Sequence, residues 1–260
     1  METGTLVFLV MVASLSGLVQ SFSGFGGGLL AIPLYTLVLS PRTAVPVNFL
    51  LMLSLYPVLL WESRHHLRWK ASLSFLLPAM VSFPLGAICL AYLPVKLLRS
   101  GISLATLLFA ALFLFEVKLP VRDRPGLRIG VGLLSGFLGG SISQSGPPMV
   151  IWGLSAGWGK DQFRSTLLLY FFLLSLTGSF TFFSLGLFSP EAFHLVSLAI
   201  LPTIGCCFLG LYLKRLARES TFRRVILVVI IGVSLLNLAA LLSSGNRTGT
   251  AWLNTLWKNR

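Results

Sequence analysis

The chain has 260 residues, 55% of them hydrophobic and only 10% charged, with a mean hydropathy of +0.89. Soluble domains carry about 25% charged residues, so this composition excludes a water-facing globule and leaves no room for a separate soluble catalytic domain. The formal net charge of +13 would suit a nucleic-acid binder, but in so apolar a chain Lys and Arg collect in cytoplasmic loops, and no nucleic-acid partner is expected.

Apolar runs between charged residues and Pro/Gly breaks predict ten helical segments, at 5–22, 28–40, 44–61, 71–92, 97–116, 127–142, 147–158, 163–187, 191–213 and 222–243. Glu2 stands where a signal peptide would have a basic region, so the first run is expected to be retained. The second and seventh segments are too short to span about 30 Å of hydrocarbon at 1.5 Å per residue. Cys89, Cys206 and Cys207 fall in apolar stretches without CxxC spacing and read as small packing residues.

If the chain changes side at every segment, one face receives Arg64, Arg68, Lys70, Lys118, Arg122, Arg124, Arg128, Lys160, Arg164, Lys214, Arg215, Arg218, Arg223 and Arg224. The other receives only Arg42, Lys96, Arg99, Arg247, Lys258 and Arg260. Fourteen cations against six place the first face in the cytoplasm and both termini outside. Making the two short segments re-entrant equalises the faces and predicts no orientation. Ten alternating segments are therefore the better reading, with the bilayer of the cytoplasmic membrane as the chain's partner.

The chain also repeats. Leu15-Ser16-Gly17 recurs as Leu134-Ser135-Gly136, and at the same spacing of 119 Gly27 matches Gly146 and Ile32 matches Ile151. Leu77-Pro78 with Gly86 recurs as Leu201-Pro202 with Gly210. The predicted organisation is a first membrane repeat over 1–117, a cytoplasmic connecting loop over 118–125, a second repeat over 126–243 and a polar tail over 244–260. Five segments per half is an odd number, so the halves must enter the bilayer from opposite sides. The expected fold is an all-α polytopic membrane protein of two inverted five-segment repeats, each with a short broken-helix hairpin, an arrangement frequent among secondary transporters.

In each half a long segment runs into a polar, Gly-rich turn. The first reads Ser21-Phe22-Ser23-Gly24-Phe25-Gly26-Gly27-Gly28, the second Gly139-Gly140-Ser141-Ile142-Ser143-Gln144-Ser145-Gly146-Pro147-Pro148. Irregular backbone at membrane depth is tolerated where it lines a cavity or is buried in protein. Glycine admits close backbone approach, Ser143 or Ser145 can cap the next helix, and Pro147 suits a first helical position. The short segments would aim free N–H groups and positive dipole ends at the membrane centre. With Ser23, Ser143, Gln144 and Ser145 as donors, such tips suit a small oxyanion without a buried cation. The competing reading is close helix packing, because Gly24-x-x-x-Gly28 and Gly136-x-x-x-Gly140 are small-xxx-small patterns. No Gly-Lys-Ser/Thr follows either turn, so neither is a phosphate loop.

Gly24-Phe25-Gly26-Gly27-Gly28 followed by Pro33, and Ser145-Gly146-Pro147-Pro148 followed by Phe163-Arg164-Ser165-Thr166-Leu167, resemble the repeat motifs of the sulfite exporter TauE/SafE family. The resemblance covers about 5–243. It departs from the family where Gln144-Ser145-Gly146-Pro147-Pro148 replaces the Gly-rich run often found in the second repeat. It implies movement of sulfite, organosulfonates or related small anions across the bacterial cytoplasmic membrane, which matches the site read from the turns themselves, with Ser23, Gly24, Gly26, Gly27, Gly28, Ser143, Gln144, Ser145, Gly146 and Pro147 about the substrate.

Asn48 and Thr166 occupy equivalent places early in the third and eighth segments, where each faces either the cavity or an interhelical hydrogen bond. Arg42 and Lys160 stand at opposite mouths, and Arg164 begins the eighth segment; each attracts anions or anchors a helix end by snorkelling. His65, His66 and His194 have no partner ligands in register, so no metal and no cofactor are expected. Trp61, Trp69 and Trp158 read as interfacial anchors. All seven carboxylates lie at segment ends or in loops, and no midplane carboxylate or histidine is present to carry protons. The expected function is secondary transport, most simply export, of a small sulfur-containing anion by alternating access. A transporter of another small organic anion and a non-transporting scaffold are the alternatives. An intramembrane enzyme is disfavoured because no buried Ser/His, paired Asp or HExxH constellation appears.

Overall fold

A computed structural model describes residues 3–115, 124–155 and 158–216, together with Val228, Ile230, Ile231, Gly232, Ser234 and Leu235. Among these residues the structure is helical, without strands. It comprises α1 (Thr3–Ser23), α2 (Gly27–Val38), α3 (Pro41–Ser63), α4 (Trp69–Tyr92), α5 (Val95–Leu114), α6 (Pro125–Ile142), α7 (Gly146–Ser155), α8 (Lys160–Ser184) and α9 (Pro190–Leu216), with a 3₁₀ turn at Arg64–His66. The tenth expected segment, most of the connecting loop and the polar tail fall largely or wholly outside the described residues.

Six of the described helices, α1, α3, α4, α5, α8 and α9, are long and apolar enough to cross a membrane. At 1.5 Å per residue α2, with 12 residues, covers about 18 Å and α7, with 10, about 15 Å. Neither reaches across a 30 Å hydrocarbon layer. Large apolar side chains such as Phe180, Leu201 and Val81 are exposed on the outer surface, as expected where lipid replaces water. Pro33, Pro46, Pro57, Pro78, Pro84 and Pro202 lie inside helices, which neighbouring helices and hydroxyls tolerate in this setting.

Two long pairs frame the molecule, α1 along α9 and α4 along α6, while α3 and α8 pack between them. Glycine sets the closeness of both pairs. A Cβ on Gly136 or Gly140 would overlap the carbonyl oxygen of Ala79 or Phe83, and one on Gly132 would stand 2.5 Å from that of Phe75. In the other pair a Cβ on Gly17 would lie 2.9 Å from the Thr203 carbonyl oxygen, and one on Gly210 2.6 Å from that of Leu18. Between lipid-like neighbours, helix association relies on such backbone proximity and on interhelical hydrogen bonds. Ser82 Oγ donates to the Leu133 carbonyl at 2.6 Å, and Ser72 Oγ to that of Thr166 at 2.9 Å. Gly136-x-x-x-Gly140 is thus a packing motif. Inside, the rings of Phe49, Phe83 and Phe182 meet pairwise at 5.1–5.3 Å between centroids.

Candidate anion site between two hairpin tips

The first tip is built by a side chain that the motif does not contain. α1 ends as Gly24 and Gly26 take φ values of 81° and 92°, which L side chains adopt only with strain. Gln20, buried on the last turn of α1, then staples the loop: Nε2 donates to the Gly24 carbonyl at 3.2 Å, and Oε1 accepts from the Gly27 N–H at 3.1 Å. That removes one of the free N–H groups expected at the start of α2. Those of Gly28 and Leu29 remain, since Leu30 already bonds back to the Gly26 carbonyl.

The second tip follows the same plan with other residues. Ser143, which lies 119 positions after Gly24, is the described non-glycine residue with positive φ, at 54°. Its N–H returns to the Gly139 carbonyl and that of Gln144 to the Leu138 carbonyl, at 3.1 and 3.2 Å. Ser135 Oγ donates to the Ser145 carbonyl and meets the Tyr170 hydroxyl at 2.7 Å. Pro147 and Pro148 carry no N–H, so α7 presents fewer donors than α2 and the two dipole ends are unequal.

The tips touch. Gly28 packs on the Ser143 main chain so closely that a Cβ there would overlap the Ser143 carbonyl oxygen. Asn48 Nδ2 on α3 donates to Ser143 Oγ at 2.9 Å, and a Cβ on Gly146 would come within van der Waals range of Phe171 and Phe25. Between the tips, α3 and α8 is a cavity of about 40 Å³. Gly26, Gly28, Asn48, Ser143, Gln144, Ser145, Gly146 and Pro147 line it, and no charged side chain does so among the described residues. Gln20, Met52, Tyr56, Phe171 and Ser175 also face it. Phe171 and Ser175 lie 119 positions after Met52 and Tyr56, so the repeat spacing already pointed to them.

The family model of the sulfite exporter TauE/SafE matches residues 9–237. The chain belongs to the sulfite exporter TauE/SafE family. No curated protein and no solved structure matches it. As a TauE/SafE member it is a multi-pass membrane protein of a transporter family whose members export sulfite and related sulfur anions, and it is not an enzyme.

Four of the expected binding residues of this TauE/SafE protein lie off the cavity. Ser23 Oγ turns back to the carbonyls of Val19 and Phe25 at 2.7 and 2.6 Å, which uses its one hydrogen locally. Gly24 lies under the Arg164 side chain. Gly27 packs against Met52, Ser16 and Gln20. Thr166 Oγ1 bonds to Gln162 within α8 at 2.7 Å.

The expected anion-attracting residues differ from one another. Arg164 is buried rather than snorkelling: its guanidinium donates to Glu62 at the end of α3 and, at 3.0 Å, to the Ser21 carbonyl near the end of α1. Lys214 on α9 meets the same carboxylate at 3.2 Å. Arg42 reaches the carbonyls of Leu90 and Leu93 at the end of α4, at 3.4 and 3.2 Å, where a cation also complements the helix dipole. The side chain of Lys160 is outside the described residues. Among the described residues, no group of three or more His, Cys, Asp or Glu is placed to hold a metal.

Proposed function

We propose that this protein exports sulfite, an organosulfonate or a related small sulfur-containing anion by alternating access, with the substrate held between the two hairpin tips. The carrying observation is the joined pair of Gly-rich turns around an uncharged, polar cavity. The Ser143 hydroxyl accepts from Asn48 and keeps its own hydrogen for a ligand. The Gly28 and Leu29 N–H groups at the positive end of α2 supply further donors. A single delocalised charge can be held this way without a buried cation.

The inverted-repeat reading has two supports. The helix pairs exchange correctly, since α1 with α9 and α6 with α4 are the same pairing with the halves swapped. Positions 119 apart correspond: Gly24 and Ser143 both take positive φ at the tips, and Met52 with Phe171 and Tyr56 with Ser175 line the cavity. Rocking one half against the other is the expected motion. The fourteen-to-six division of cations favours termini outside the cytoplasmic membrane.

The cavity, at about 40 Å³, is small and suits a small anion rather than a bulky solute. Efflux of labelled sulfite from proteoliposomes containing the purified protein tests the proposal. Saturable, protein-dependent efflux is expected; a flux equal to that of empty liposomes for sulfite and for a short organosulfonate overturns it and favours a scaffold.

A further inference from the structure

Gln144 and Asn48 both line the cavity, and both are almost wholly buried, at 2% and 1% exposure. Gln144 Nε2 donates to Thr106 Oγ1 on α5. The Thr106 hydroxyl has a single hydrogen, which goes to the Ile102 carbonyl at 2.6 Å, so toward Gln144 it can only accept. This network orients the amide, with nitrogen on Thr106 and Oε1 away from it. That Oε1 has no partner, and neither has Asn48 Oδ1, whose amide nitrogen is engaged by Ser143. Buried carbonyl-type acceptors are rarely left without a donor, and here two of them sit at one cavity.

A bare dianion would bring charge against two oxygens that repel it, with no cation at the wall among the described residues to compensate. An anion of single charge that carries a hydrogen of its own fits both demands. Its charged oxygens face Ser143 and the start of α2, and its hydrogen serves an amide oxygen. Resting on the transport reading above, we propose that the cavity selects a singly charged oxyanion bearing its own O–H or N–H donor, with Gln144 Oε1 and Asn48 Oδ1 as the acceptors that recognise it.

The test is calorimetric titration of the purified protein at one pH below the second ionisation of sulfite. The probes are hydrogensulfite, methanesulfonate (singly charged, without a donor) and sulfate (doubly charged). Hydrogensulfite is expected to bind at least tenfold more tightly than either of the others. Gln144→Met, close in shape but without the acceptor, should lose tenfold more affinity for hydrogensulfite than for methanesulfonate, and Asn48→Leu provides an independent second variant. The wild-type comparison requires neither variant to fold. Equal binding of hydrogensulfite and methanesulfonate by the wild-type protein overturns the donor selection while leaving the anion site intact. Absence of saturable binding by all three probes overturns the site as well.

Discussion

Gly28 rests on the main chain of Ser143 with no space for a side chain, so the two hairpin tips meet backbone to backbone. A methyl group at Gly28 must push away either the Ser143 carbonyl or the start of α2, and both border the cavity. Gly28→Ala is therefore expected to lower efflux at least tenfold while the protein still purifies as a folded species. Gly205→Ala, where nothing lies within 4 Å of the added carbon, should transport normally. Equal flux in the two variants would show that tip contact does not matter for transport.

Ser143 offers a cleaner removal of one donor. Its left-handed φ of 54° suits glycine better than serine, by about 1 kcal/mol on the usual scale for this region. Ser143→Gly should hold or raise the melting temperature while removing the hydroxyl and its bond to Asn48. The expected outcome is preserved thermal stability with efflux reduced at least tenfold. Unchanged flux would remove Ser143 from the site.

The hairpins were legible because Gly-rich turns at a fixed spacing have few uses in an apolar chain, and because short segments cannot span. Helix bounds agree within about three residues for the same reason, since lipid length and Pro/Gly punctuation set them. Side-chain directions were not legible. Ser23 and Thr166 bond to nearby carbonyls because a hydroxyl on a helix always has that local alternative, and no pattern tells when it is taken. The part of α8 that reaches the cavity, Phe171 and Ser175, begins more than a turn beyond Thr166, and only the repeat spacing from Met52 and Tyr56 marks it in the sequence. Gln20 was visible as a polar residue in an apolar run, yet its role depends on the loop folding back on it. The pairing of Arg164 with Glu62 joins residues 102 positions apart and arises only when the ends of α3 and α8 converge.

That ion pair should respond unequally to removal of its parts. The Arg164 side chain is 10% exposed, against 31% for Glu62 and for Lys214. Glu62→Gln strands a buried guanidinium and is expected to cost somewhat less than the about 3–5 kcal/mol seen for fully buried pairs. Lys214→Gln removes a partly exposed partner and should cost about 0–1 kcal/mol. Melting curves in detergent at fixed ionic strength compare the two. Equal shifts would mean that the Arg164–Glu62 contact contributes no more than the outer one.

The glycines that join the long helix pairs give a graded prediction. Within α6, a Cβ on Gly136 would overlap the Ala79 carbonyl and the Ser82 hydroxyl, whereas one on Gly130 would meet nothing within 4 Å. On α1, a Cβ on Gly17 would lie 2.7 Å from Thr203 Cγ2 and 2.9 Å from its carbonyl oxygen. Overpacking of this kind costs about 1–3 kcal/mol, and it is greatest where the obstacle is backbone, which cannot rotate away. Gly136→Ala should therefore lower the melting temperature most, and Gly17→Ala less, since the Thr203 methyl can turn aside. Gly130→Ala should be neutral or slightly stabilising, as alanine restricts the unfolded chain. Gly136→Leu should fail to accumulate as a monodisperse species. An order in which Gly130→Ala is the most damaging would contradict the α4–α6 interface on which the second hairpin stands.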